Sequence, residues 1–192
     1  EFWMKKGGVG GGTALETVFH NTSVYSTGSK GPYRITTYMG IVDTVLNTSI
    51  VSGSTSTSFT HLLGQNFLAT DVWNHYALSF KQEGTELVAN AYMNGSHAFR
   101  DSNTVTMGPI TGTMKAALGA MAGRGAGVGQ EGAEGWGNVV KTSFDEFRYW
   151  KTERNAQQIG RYYRDQIGGG TNTDNVKYDD ISNKVDLGVY FK

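Results

Sequence analysis

Apolar positions along this chain recur mostly at every second residue, in short runs separated by polar and glycine-rich breaks. In His75-Tyr76-Ala77-Leu78-Ser79-Phe80-Lys81, Tyr76, Leu78 and Phe80 share one side, as the two-residue period of a strand requires. Gln82-Glu83-Gly84-Thr85 reads as a turn and Leu87 to Met93 as a second strand. Asn94-Gly95 supplies the φ > 0 pair of a type I′ hairpin, and Ser96 to Arg100 returns as a third strand. The pattern predicts a three-stranded antiparallel meander over 74–100.

Further strands are predicted at Glu1 to Lys6, Leu15 to His20, Tyr33 to Met39, Lys115 to Met121 and Phe144 to Trp150. Val51 to Thr60 is almost all Ser, Thr and Gly, and reads equally as a polar edge strand or a long loop. The one helical pattern opens at Asn155, an N-cap with Gln158 placed to return a capping-box bond. Ile159, Tyr162, Tyr163 and Ile167 form its stripe, and Gly168 to Gly170 ends it. Beyond the polar stretch from Thr171, Leu187-Gly188-Val189-Tyr190-Phe191 alternates again. It predicts an ordered strand on a sheet edge, of this chain or a neighbour, with Leu187, Val189 and Phe191 on its buried face. The expected division is one domain over 1–170, with 171–192 a linker and closing strand or the start of a next module.

Composition narrows the class. The 192 residues include 27 Gly, about twice the usual share, 12% aromatics and no Cys. Zero Cys removes disulfides, thiolate nucleophiles and Cys-ligated metals. Seventeen basic and 17 acidic side chains cancel, so no overall charge draws the chain to nucleic acid or anionic lipid. Apolar runs of only a few residues predict no membrane span. The opening Glu1-Phe2-Trp3-Met4, already inside an apolar pattern, reads as a piece of something longer.

Candidate chemistry is sparse. Gly127-Val128-Gly129-Gln130-Glu131-Gly132 has the GxGxxG spelling, but Ala133-Glu134-Gly135-Trp136-Gly137 behind it cannot open the helix that a dinucleotide loop needs. His20, His61, His75 and His97 lack paired-ligand spacing, and His75 reads as an ordinary surface or sheet histidine. Asp174-Asn175 and Asp179-Asp180 could offer oxygens to calcium but lack an EF-hand's Gly and Glu; no cofactor is expected. Asp145 and Glu146 are adjacent and point to opposite faces of a strand, so they cannot flank one glycosidic bond. Glu146 and Arg148, two apart on one face, are expected to form an ion pair or to hydrogen-bond neighbouring loops. The sequons at Asn21, Asn47 and Asn94 carry little weight, since Asn94 is explained by its turn.

The order of parts is more informative. Phe2-Trp3-Met4-Lys5, Trp73-Asn74-His75-Tyr76-Ala77, Tyr92-Met93-Asn94-Gly95 and Phe144-Asp145-Glu146-Phe147-Arg148-Tyr149-Trp150 before a short helix resemble the concanavalin A-like, laminin-G-type domains. That resemblance implies an all-β antiparallel jelly-roll sandwich with one short helix, lacking the family's first strand or strands. It implies a non-catalytic binding or structural module of a larger bacterial or phage protein, extracellular or on the virion surface. Its partners would be other domains of the same polypeptide, virion or surface proteins, and surface glycans. A lectin for host recognition and a glucanase-like hydrolase are the alternatives. A lectin site needs an exposed aromatic and hydroxyl-binding groups. Trp136 with Asn138, and Asp71 beside Trp73, are the candidates, although Trp73, opening the best strand, is expected in the core.

Overall fold

A computed structural model describes residues 1–7, 16–23, 33–39, 45–63, 71–110, 112–120, 141–165, 167 and 187–192. One sheet holds β1 (Phe2–Lys6), β6 (Trp73–Glu83), β7 (Glu86–Met93), β8 (Ser96–Thr104) and β10 (Thr142–Asp145), in the order β10-β1-β6-β7-β8. The other holds β2 (Glu16–Ser23), β3 (Tyr33–Met39), β4 (Leu46–Ser52), β5 (Thr55–His61) and β9 (Met114–Leu118), in the order β5-β4-β3-β2-β9. A small two-stranded sheet pairs β11 (Phe147–Trp150) with β12 (Leu187–Phe191), and α1 (Ala156–Tyr162) follows β11. Among the described residues every pairing is antiparallel and one short helix occurs, which makes this the expected β-sandwich.

Alternation builds the core between the sheets. Phe2, Met4 and Tyr76 face Val18, Phe19, Met39 and Leu46, and a second cluster joins Leu87 and Ala89 to Ile50 and Phe59. On the outer side of the first sheet, Ile159 of α1 packs on Ala77 and Tyr92. Asn155 caps the helix with both capping-box bonds, 2.9 and 3.0 Å, as its sequence foretold. The helix itself ends at Tyr162, earlier than the stripe to Ile167 suggested.

The meander is present, with Asn94 (φ 50°) and Gly95 (φ 78°) at its tip. Gly95 is also a close-approach site, because a Cβ there would meet Tyr163 Cδ1 at 2.5 Å. Gly95→Ala should therefore cost about 2–4 kcal/mol, from left-handed strain plus overpacking. Gly84→Ala, with φ 61° but open space around it, should cost only the strain, about 1–2 kcal/mol. Urea unfolding of the two variants checks the difference.

Of the two readings of the Ser/Thr run, the edge strand is the one present: a turn at Gly53 (φ 63°) folds β5 back on β4 at the sheet edge, with Phe59 and His61 inward. Two other expectations change. Phe144 to Trp150 is two strands, because Glu146 takes φ 50° and breaks the pleat between β10 and β11. The tail strand β12 does pair within this chain, on β11, but Val189 and Phe191 stay exposed. Tyr190 turns inward instead, donating its hydroxyl to Glu146 Oε2 at 2.6 Å.

Candidate functional site

Two groups of chemically capable side chains stand out on the first sheet, one buried and one open. The buried group surrounds Glu1. Its carboxylate lies 3.7 Å from Arg148 Nη1, 3.5 Å from Arg154 Nε and 3.8 Å from His75 Nε2. Burial alone would raise its pKa; the neighbouring His75, the adjacent amino group and Arg154 overcome that and hold it near 2. Arg148 also binds Glu146 at 3.1 Å, the pairing expected from their spacing, and the Tyr162 carbonyl at 3.1 Å. Arg154 stacks on the Trp150 ring, 4.3 Å from its centroid. This set ties β1, β11 and α1 together.

His75 belongs to the same buried region, not to the surface. It points outward from β6 as its position demands, but Trp3 and Tyr163 cover it, with ring centroids 5.7 and 5.4 Å away. Burial lowers its pKa, against the opposing pull of Glu1. Helix packing, which alternation cannot show, is the reason the surface reading fails.

The open group lies one step further along the same face. Trp73 stands opposite Lys5, as His75 stands opposite Trp3, so all four side chains project outward. The helical cover reaches Trp3, which stacks on Tyr163 at 6.0 Å and donates its indole N–H to the Tyr163 carbonyl at 3.0 Å. It does not reach Trp73, which is 41% exposed. The expectation that Trp73 is core is therefore wrong: it points away from the other sheet, and α1 lies too far along the strand to hide it.

Polar side chains share this outer face with Trp73. Across β1, Lys5 is flanked by Ser143 of β10 in register, and Asp145 is the next outward residue on that strand. Asp71 sits at the rim in a left-handed turn (φ 61°), its N–H bonded to the Lys6 carbonyl at 2.7 Å. Its carboxylate is 3.9 Å from Lys5 Nζ, and the side chain is 74% exposed. The surface thus offers an aromatic plate, two carboxylates, a hydroxyl and an ammonium, all reachable by solvent. Of the sequence candidates, Asp71 falls in this group with its neighbour Trp73, expected in the core; Trp136 and Asn138 lie outside the described residues, as do the possible calcium ligands at 174–180. Lys5, Ser143 and Asp145 were not singled out from the sequence. The pairing of β10 with β1 across 136 residues assembles them, and no local pattern records it.

Among the described residues, no cluster of three metal-ligating side chains occurs, and no helix is long and apolar enough to cross a membrane. Asn94 has the structural role expected of it, accepting the His75 N–H at 2.9 Å. Asn21 is buried within β2.

No family model and no curated protein matches this chain. Among solved structures, the CBM40 of Ruminococcus gnavus IT-sialidase, bound to alpha2,6 sialyllactose, superposes with a TM-score of 0.47 at 13% identity. The match covers 74% of this chain and 71% of that one. At that similarity no residue role carries over.

Proposed function

We propose that this chain is a non-catalytic module of a larger surface protein, and that it binds a glycan on the outer face of β10, β1 and β6. The observation that carries the reading is the exposed Trp73 ring, with Lys5 opposite it, Ser143 and Asp145 further across the same face and Asp71 at the rim. An indole offers one face to the C–H groups of a sugar, while carboxylate, hydroxyl and ammonium groups on the same face bond hydroxyls and exclude unmatched rings. The shallow, open geometry suits binding to one face of a chain or terminus. The order of motifs on an antiparallel sandwich supports placing the module with the laminin-G-type domains. The absence of Cys supports a bacterial or phage source, such as an adhesin or virion protein meeting a host surface.

A glycan array followed by calorimetry on the best ligand tests this. Trp73→Ala should weaken binding about tenfold or more, equivalent to ~1.4 kcal/mol, with the unfolding midpoint unchanged. Asp71→Ala should weaken it less. Binding that survives Trp73→Ala but is lost in Trp136→Ala would move the site to the loop that holds Trp136 and Asn138. Silence across the array would leave the module a spacer that binds other proteins or domains.

A further inference from the structure

The chain around α1 does more than cover the outer face of the first sheet; it advances along that face toward Trp73. Lys81, Ala77, His75 and Trp73 all project outward from β6 by alternation. Glu153, just ahead of α1, pairs with Lys81 at 3.7 Å. Ile159 packs on Ala77, and the Tyr163 ring lies over His75 with centroids 5.4 Å apart. Trp73 is the next outward residue, about 7 Å along the strand from His75. The helix therefore ends as a wall one step from the open indole.

This wall is closely fitted. A Cβ on Gly160 would meet the Gly95 carbonyl oxygen at 2.9 Å, so α1 rests on the β7–β8 hairpin tip. Tyr163 sits over the same glycine and stacks on Trp3, whose indole bonds its carbonyl. On the Tyr163 ring rests Arg164, its guanidinium carbon 5.2 Å from the centroid. Such a stack orders the guanidinium and leaves its N–H edge available. Arg164 is exposed, and among the described residues no carboxylate lies within ion-pair distance of it. Arg161 has a local explanation in the last turn, where a cation complements the helix dipole. Arg164 lies past the cap and has none.

The charges on the face are graded. Arg164 stands at the helix end, Lys5 opposite Trp73, and Asp71 at the far rim. Asp145, in register with Trp3, is held by its own turn, accepting the Glu146 N–H at 2.9 Å. We propose that Arg164 is a specificity-determining residue of this face, selecting a sugar that bears an anionic group, a carboxylate or a sulfate. The proposal rests on the reading of Trp73 as the sugar platform. With the sugar on Trp73, its acidic group points toward α1, where the guanidinium fork meets two oxygens with parallel N–H bonds. An uncharged sugar uses Trp73 but gains nothing from Arg164.

The test is an array of matched oligosaccharides, each backbone printed uncharged, with primary hydroxyls oxidised to carboxylate, and sulfated, followed by calorimetry on the binders. At least one acidic form should bind about tenfold or more tighter than its uncharged partner, and the two acidic arms show which acid is preferred. Arg164→Gln should remove that advantage, leaving the affinity for the uncharged form and the unfolding midpoint unchanged. Arg164→Lys should keep only part of it, since an ammonium retains the charge without the fork. The advantage should shrink at about 1 M salt, where screening reaches ~3 Å. Trp73→Ala should weaken all three forms. Equal affinity for all forms in the unaltered chain would overturn the role of Arg164 and leave the platform standing. So would an acidic advantage that survives Arg164→Gln. Binding of none of the forms would overturn both readings.

Discussion

Replacing Lys6 by Met alone is expected to lower the unfolding free energy by about 3–5 kcal/mol, and Lys6→Met with Glu16→Leu to restore most of it. Lys6 ends β1 on the core side, after Phe2 and Met4, and its ammonium binds the Glu16 carboxylate directly. The two side chains are 1% and 8% exposed, so the pair is a buried one, and it bridges the two sheets. Removing the lysine strands an ionised or newly protonated carboxyl in the interior, and that desolvation is the main cost. Removing both replaces an ion pair by apolar volume, which interiors accept well. A domain of this size has about 5–15 kcal/mol in all, so the single variant should unfold in mild urea. A double-mutant cycle reads the coupling, and additive losses would show that the pair contributes nothing as a pair.

Acidification is expected to destabilise the fold between about pH 6.5 and 4, before most carboxylates titrate. His20 and His61 are buried neutral, and burial lowers both pKa values to about 4. Arg34 adds to the effect at His20, while Asp101 opposes it at His61. His61 lies among Phe59, Phe80 and Phe99, with Nε2 bonded to Thr48 Oγ1 at 3.1 Å. In the unfolded chain these imidazoles bind protons near 6.5, so the unfolded state takes up protons first as the pH falls. Stability is therefore complete above about 6.5 and declines toward 4. Together the two account for a loss of a few kcal/mol, with His75 shifted in the same direction. Urea midpoints measured from pH 7.5 to 4 check the slope. His61→Gln should flatten it by about half while lowering stability at pH 7.

How far the sequence reached depended on whether a feature was local. The β6–β8 meander was legible because Tyr76, Leu78 and Phe80 alternate and Asn94-Gly95 permits only a tight reversal. The capping box needed only Asn155 and Gln158. The β12 strand was legible as a strand, but its inward face was not. Its partner β11 shifts register between Tyr149 and Trp150, and Tyr190 is drawn to Glu146. The sugar-site candidate was half legible. Asp71 and Trp73 are neighbours in sequence, but whether the outer face of β6 is covered depends on α1, some 80 residues later. The Lys6–Glu16 pair joins two sheets and left no trace in any periodic pattern. Trp136, singled out for its Gly-rich setting, remains a candidate on sequence grounds.

The four tryptophans, at 3, 73, 136 and 150, give a direct test of the central claim, because each indole N–H yields one resonance. Trp3 donates its indole N–H to a backbone carbonyl beneath Tyr163, and Trp150 lies under Arg154, so both are shielded from a ligand on the open face. Titrating an array-selected glycan into ¹⁵N-labelled protein should move the Trp73 indole signal together with the backbone amides of Lys5, Asp71 and Ser143. The Trp3 and Trp150 signals should hold their positions. A saturable titration that shifts Trp136 alone, or moves none of the four, would contradict a binding face built on Trp73.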